Sequence, residues 1–218
     1  MGCKIIAVLS GKGGVGKSTH TSNEARYFQK NYQKRENGTL IIDSDILGTL
    51  RNWRERDVND LQPPVVGIDR PTLHIDIPKL THAFDYIFID GSAKLTDMDA
   101  SAVKVANVVL IPVAPSAADI WGSMDLVELI KARQTVTDGK PKAAFLINGQ
   151  IQGTKVAKEV DQVLEKLGLP VFKARACQRV IYSDAMGWGS TVTDAEPNGK
   201  AAQEVAAISQ ELMEFINE

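Results

Sequence analysis

Gly11-Lys12-Gly13-Gly14-Val15-Gly16-Lys17-Ser18-Thr19 is the stretch that decides the fold of this 218-residue chain. Gly11 and Gly16 stand five apart and are followed by Lys17 and Ser18, a phosphate-binding pattern. Its glycines let the backbone approach an anion, its lysine neutralises that anion, and its hydroxyl suits magnesium. Four specified positions recur by accident in about one chain in a hundred of this length, so the flanks have to decide. Upstream, Lys4-Ile5-Ile6-Ala7-Val8-Leu9 is a short apolar run suited to a buried parallel strand. Downstream, from Lys17 the chain reads as a helix. A phosphate would therefore sit on a helix N-terminus, with free N–H groups and the positive dipole end aimed at it.

Working outward, Thr39-Leu40-Ile41-Ile42-Asp43 and Tyr86-Ile87-Phe88-Ile89-Asp90 are further buried strands, each ending in a carboxylate. Ligands of open α/β sheets bind at the carboxyl ends of strands, which places Asp43, Asp45 and Asp90 on the same edge as the glycine loop. Strands are also predicted at Val108–Pro112, Ala143–Asn148 and Val171-Phe172, with a short one around Leu73-His74-Ile75. Helices are predicted over about 18–33, 97–105, 120–135, 155–167 and 200–217, with a turn or two of helix carrying Trp53. The stretch between Leu47 and Pro71 otherwise reads as loop. Such alternation predicts an α/β fold: a doubly wound, mainly parallel sheet with helices on both faces, formed by one domain over residues 1–218 that carries the phosphate loop.

Composition excludes several classes. The apolar fraction of 44% and charged fraction of 24% are ordinary for a globular domain, and no apolar run approaches a membrane span. No secretory leader is expected, and Ile6 stands where a myristoylation motif beginning at Gly2 needs Ser or Thr. Cys3 and Cys177 are too few and too far apart for a metal or disulfide framework, which suits a cytoplasmic protein. The net charge of −2 rules out a uniformly basic coat, so any DNA affinity has to come from a local patch.

A nucleoside triphosphate needs magnesium across its outer phosphates, held by a loop hydroxyl and a nearby carboxylate. Ser18 supplies the hydroxyl, and Asp90, followed by Gly91, is the expected carboxylate; its competing role is to cap a turn. Asp43 and Asp45 alternate, so if the strand continues only one of them faces the γ-phosphate, where it would orient the attacking water. Phosphoryl transfer is mostly positioning and charge neutralisation, so one carboxylate and the lysines suffice for slow hydrolysis.

Taken together, several segments resemble the ParA/MinD family of deviant-loop ATPases, most closely the short, ParF-like ParA proteins of plasmid partition. The carrying residues are Lys12 to Thr19, Asp43-Ser44-Asp45, Ile89-Asp90-Gly91, Ile111 to Ser116, and Arg175 with Arg179 before Tyr182. Lys12 is the specific feature, since an ordinary phosphate loop requires no lysine there. The resemblance implies a phosphate cradle of Gly13, Gly14, Val15, Gly16, Lys17, Ser18 and Thr19 for ATP and Mg2+. It implies that Lys12 reaches the partner's phosphates in an ATP-dependent homodimer, that Asp45 is needed for hydrolysis and Asp43 accompanies it, and that Asn148 reads the base. It further implies nucleoid association through non-specific DNA, a centromere-binding adaptor of the ParB/ParG kind that stimulates slow ATP hydrolysis, and segregation of a plasmid or other cargo. Two departures stand out: Ile46-Leu47 replaces the family's common Pro-Gln, and His20 stands where Thr is usual.

The DNA-binding surface implied by the resemblance lies in the C-terminal part, with Arg175 and Arg179 as its candidates. Lys140, Lys142, Lys155, Lys158, Lys166 and Lys173 stand there too, against Glu159, Asp161 and Glu165, and such a patch would give salt-dependent binding. The lysines could equally be a solvated helix face with ion pairs. Glu204, Glu211, Glu214 and Glu218 make the C-terminal helix acidic, which disfavours an anionic membrane surface. No cysteine set supports the electron transfer of a nitrogenase-type iron protein. The alternative from another class is a dethiobiotin synthetase-like ligase or kinase on the same scaffold, against which Lys12 argues.

Overall fold

The computed structural model describes residues 2–92, 96–151 and 156–218, and the side chains of residues 156–159 are outside that description. The elements run β1 Lys4–Val8, α1 Lys17–Asn31, β2 Thr39–Asp43, α2 Thr49–Glu55, β3 Val65–Gly67, α3 Leu73–Asp76, β4 Tyr86–Asp90 and α4 Asp97–Val105. There follow β5 Val108–Val113, α5 Ala117–Trp121, α6 Met124–Thr135, β6 Lys142–Ile147, α7 Val156–Glu165, α8 Val180–Gly187, α9 Val192–Ala195 and α10 Lys200–Asn217. Six strands form one sheet in the order β3-β2-β4-β1-β5-β6, and every pairing is parallel. β1 lies between β4 and β5, so the chain changes direction across the sheet at the phosphate loop, where α/β folds open a ligand crevice.

The strands alternate between two cores. Ile5, Ala7, Leu40, Ile42, Ile87 and Ile89 face one of them, together with Leu73, Ala102, Ile130 and Leu164 from α3, α4, α6 and α7. Ile6, Val8, Ile41 and Phe88 face the other, against Phe28, Leu50, Tyr182, Val205 and Leu212 from α1, α2, α8 and α10. A strand buried on both faces has no polar side to show, which is why these segments read as unbroken apolar runs. Among the described residues no helix is long and apolar enough to cross a membrane.

Four expectations fail locally. Leu73-His74-Ile75 is helical: Leu73 is fully buried and Ile75 is 51% exposed, whereas a strand would put both on one face. The edge strand is instead Val65–Gly67, inside the stretch that read as loop, with Gly67 in register with Asp43. The helix expected over 120–135 is two helices, because Gly122 and Ser123 turn the chain so that the Gly122 carbonyl rests against Gly11. At Val171 only an isolated parallel bridge to Phe145 forms.

One polar cluster ties the second face together. The Asp194 carboxylate accepts hydrogen bonds from Arg26 Nε (2.8 Å), Lys30 Nζ (3.1 Å), Gln62 Nε2 (3.1 Å) and Thr191 Oγ1 (3.0 Å), joining α1, the loop after α2, and α9. Burial pushes this carboxyl upward, but Arg26, Gln62 and Lys30 outweigh it and hold the group well below the usual carboxylate range. A depressed folded value means stability that is present above the unfolded carboxylate value of about 3.9 and lost as pH falls toward the lower folded value. Asp194→Asn is therefore expected to lower Tm at neutral pH, with the gap to the parent narrowing steadily below about pH 4. A gap of constant size across that range in thermal melts would assign the effect to packing.

Candidate functional site: a phosphate loop at the carboxyl edge of the sheet

The carboxyl ends of β1, β2 and β4 deliver the loop, Asp45 and Gly91 to one cleft of about 310 Å3, lined also by Leu47 and Thr49. α1 begins at Gly16, a left-handed residue with φ 95°, with no side-chain cap and no acidic residue in its first turn. The first N–H groups of a helix have no partner of their own, so this end is left for an anion. A Cβ at Gly16 would lie 2.3 Å from Asn148 Nδ2, so the position requires glycine by both conformation and space.

Lys17 is buried, and its Nζ donates to the Lys12 carbonyl at 3.0 Å. Burial holds its ammonium below the ordinary lysine value, while Asp90, Asp99 and Asp45 pull the other way. Ser18 Oγ donates to Asp90 Oδ2 at 2.7 Å, and Thr21 Oγ1, one turn on, donates to Asp90 Oδ1 at 3.1 Å. Asp90 is fully buried, and that burial, with Asp43 adding to it, pushes its carboxyl up to about 7 against the Ser18 and Thr21 hydrogen bonds. A cation beside Ser18 would favour the ionised form. The donor set therefore fits magnesium, which takes one or two protein oxygens and fills its shell with phosphate and water. Ser18 would hold it directly, with Asp90 behind.

Asp43 and Asp90 are register partners on adjacent strands and face α1 together. Asp43 is fully buried and committed: Oδ1 accepts from Asp45 N at 3.1 Å, and Oδ2 accepts from Leu50 N at 3.1 Å and Arg51 N at 3.0 Å. It thus caps α2 from the end of β2 and sets the chain direction after the strand. Asp45, half-buried, is the carboxylate of this pair that lines the cleft, and its Oδ1 accepts from Leu47 N at 3.0 Å.

Asn148 stands at the end of β6, but its amide is turned onto the loop: Nδ2 donates to Val15 O at 2.8 Å, and Oδ1 meets His20 Nε2 at 3.1 Å. His20 faces Glu24 at 3.6 Å, and Ser209 of α10 donates to Glu24. Here Asn148 braces the phosphate loop, and His20, the departure at that position, supplies the brace's second half.

Lys12 forms an ion pair with Asp119 of α5 at 2.5 Å, and Asp119 is also bonded by Ser116. The Arg175 guanidinium pairs with Asp161 at 2.6 Å and that of Arg179 with Glu204 at 2.5 Å, and neither arginine lines the cleft. Lys142 donates to Phe215 O at 3.1 Å and lies over the Phe215 ring. Lys140, Lys166 and Lys173 are exposed, while Lys155 and the side chains of Lys158 and Glu159 lie outside the described residues.

Sequence reasoning missed Asp119, Thr21 and Arg51. Asp119 had a signal, since Ser116-x-x-Asp119 has capping-box spacing. Thr21, three residues after Ser18, shares its helix face and could have been read from that. Arg51 had none.

The fold and the loop define a P-loop nucleotide-binding α/β protein. The chain belongs to the CobQ/CobB/MinD/ParA nucleotide-binding domain family, whose description matches residues 6–192. It is 28% identical over 214 residues to the maintenance of carboxysome distribution protein A of Halothiobacillus neapolitanus, covering 95% of each chain. Its fold superposes on the septum site-determining protein MinD of Pyrococcus horikoshii, solved with Mg-ADP (TM-score 0.74, 19% identity, 96% of each chain). It also superposes on a plasmid partition protein of Borrelia burgdorferi bound to AMPPNP (TM-score 0.74, 17% identity, 97% of this chain and 99% of that one).

A Cβ at Gly11 would lie 2.3 Å from the Gly122 carbonyl oxygen, a backbone atom that no side-chain rotation can clear. Gly11→Ala is therefore expected to cost about 1–3 kcal/mol and to weaken ATP binding by displacing the loop from α5. Parental Tm and parental affinity in calorimetry would show that the two segments part freely.

Proposed function

We propose that this protein is an ATP-driven positioning switch: ATP and magnesium favour a homodimer that holds non-specific DNA, and slow hydrolysis, stimulated by a partner adaptor, releases it. The observation that carries the reading is where the two lysines stand. Lys17 lines its own cleft, whereas Lys12, from the same loop, does not line it and is partly exposed, paired with Asp119. A second cation outside its own phosphate cleft suits one that serves the phosphates of another copy.

The rim supports the same reading. Ile46 and Leu47 are 80% and 74% exposed beside the cleft, and Trp121, two residues from Asp119, is 69% exposed. Large apolar side chains exposed next to the cleft, and on the helix that pairs with Lys12, suit surfaces that a partner covers. Lys17, Ser18 and Thr19 would take the phosphates, Ser18 and Asp90 the magnesium, and Asp45 the attacking water. A base contact by Asn148 would require it to leave Val15 or His20. Arg175 and Arg179 would each have to exchange an internal carboxylate for a DNA phosphate, so their contribution should be small and steeply salt-dependent. The likeness over almost the whole chain to a carboxysome-distribution protein supports a cargo-positioning role in which the load is a plasmid or a protein body.

Lys12→Gln is expected to abolish ATP-dependent dimerisation in light scattering while one subunit still binds ATP; dimerisation at the parental ATP concentration would remove the trans role. Asp119→Asn should act oppositely. A partly exposed ion pair is worth about 0–1 kcal/mol, so its loss should lower the ATP concentration for half-dimerisation by up to about fivefold. A higher requirement would mean that Asp119 helps the dimer. Asp45→Ala should bind ATP and fail to turn it over, as phosphate release would report.

A further inference from the structure

We propose that Arg51 is a positioning residue for hydrolysis: its guanidinium clamps the loop after β2 and so fixes the direction in which the Asp45 carboxylate faces the cleft. The inference rests on the reading of Asp45 as the group that orients the attacking water. It goes beyond that reading by naming the device that holds the group in place.

The loop from Asp45 to Gly48 closes on itself, Gly48 N donating to the Asp45 carbonyl at 3.0 Å and Leu47 N to Asp45 Oδ1 at 3.0 Å, and Asp45 N ties it to Asp43 Oδ1 at 3.1 Å. Ile46 and Leu47 are exposed, so their side chains add little restraint, and Ile46 stands where Pro is common in the family the sequence resembles. Proline would have fixed one φ angle directly; isoleucine leaves it free. Arg51 adds a side-chain tie between this turn and the end of β2. Its Nη2 donates to the Asp45 carbonyl at 2.9 Å and lies 3.4 Å from the Ile46 carbonyl, and its Nε faces Asp43 Oδ2 at 3.5 Å. The planar guanidinium thus bridges the two peptide units that follow β2 and the carboxylate that ends it, which a point charge on a flexible stem cannot do.

The space for the guanidinium is made by two glycines. A Cβ at Gly48 would come within 3.0 Å of Arg51 Nε and Nη2, and a Cβ at Gly67 within 3.0 Å of Arg51 Cδ and Nη1. Gly48 is left-handed, with φ 66°, so it also closes the turn that brings Asp45 O and Ile46 O to the same donor. Gly67 is the register partner of Asp43, so the slot is walled by the edge strand. Arg51 itself is placed by Asp43, which accepts from its backbone N–H. One chain of contacts therefore runs from the end of β2 through the N-terminus of α2 and back to the loop that carries Asp45. Because catalysis by an oriented water depends on placement, a shift of about 1 Å in that carboxylate can cost up to a hundredfold in rate.

The test compares Arg51→Ala, Arg51→Lys and Asp45→Ala with the parent in single-turnover and steady-state phosphate release, with KM for ATP and Tm measured alongside. Arg51→Ala is expected to lower kcat about tenfold or more with KM within about twofold. Millimolar guanidinium, well below denaturing levels, should restore part of kcat by entering the slot between Gly48 and Gly67. Arg51→Lys should lie between the two, and it carries the test if the alanine variant fails to fold. A purely structural brace would lower Tm and leave kcat of the folded protein unchanged without response to guanidinium, and that result overturns the proposal. Parental turnover by Asp45→Ala would instead overturn the underlying reading. An inactive Asp45→Ala beside fully active Arg51 variants would sink the Arg51 role alone.

Discussion

The buried carboxylate of Asp90 is the constraint around which this molecule is built. A charge taken out of water has to be paired or neutralised, and Asp90 is enclosed at the end of a central strand with Asp43 level with it on the neighbouring strand. Two hydroxyls from the first turns of α1, those of Ser18 and Thr21, satisfy its oxygens, and the Lys17 ammonium stands by. These contacts fasten the start of α1 to the end of β4 and thereby hold the phosphate loop over the sheet. The same arrangement leaves a carboxyl whose ionised form gains from any cation that arrives beside Ser18. Stability of the loop and readiness for a metal-bound phosphate thus come from one group.

The cations expected to meet phosphate share a property: each is already engaged. Lys17 lies on the Lys12 carbonyl, Lys12 on Asp119, Arg175 on Asp161 and Arg179 on Glu204. Ligand binding in such a protein is an exchange of partners, so its free energy is a difference between two sets of contacts. Partly exposed pairs are weak, and weak restraints on strong donors make a protein easy to switch. The contacts also join elements. Asp119 and Gly122 bring α5, with its exposed Trp121, against the loop entrance. Arg51 links the Asp45 loop to β3 at the sheet's edge.

Much of the fold was legible along the chain. The central strands buried on both faces show as apolar runs, and the carboxylates at the ends of β2 and β4 mark the ligand edge without any alignment. The loop from Gly11 to Thr19 is readable because each residue in it answers to a local requirement of backbone space, charge or hydroxyl. Elements whose conformation depends on distant partners were not legible. The α3 segment has the residues of a strand and becomes a helix because Leu73 is drawn into the core while Ile75 is left outside. The break between α5 and α6 sets the Gly122 carbonyl against Gly11, more than a hundred residues earlier, where only glycine leaves room for it.

By itself, the sequence determined that a parallel α/β sheet carries a phosphate loop with two lysines and a set of carboxylates at its ligand edge. Those features follow from neighbours in the chain, through the period of a strand and the geometry of a helix start. Tertiary structure alone decided what each polar group does there. It turned Asp43 inward to cap α2, left Asp45 facing the cleft, turned Asn148 onto the loop, matched Lys12 with Asp119, and set Arg51 in a slot between two glycines. The physical reason is that a buried or half-buried polar side chain takes its role from whichever partner the packed chain brings within about 3 Å, and sequence spacing carries no record of that distance.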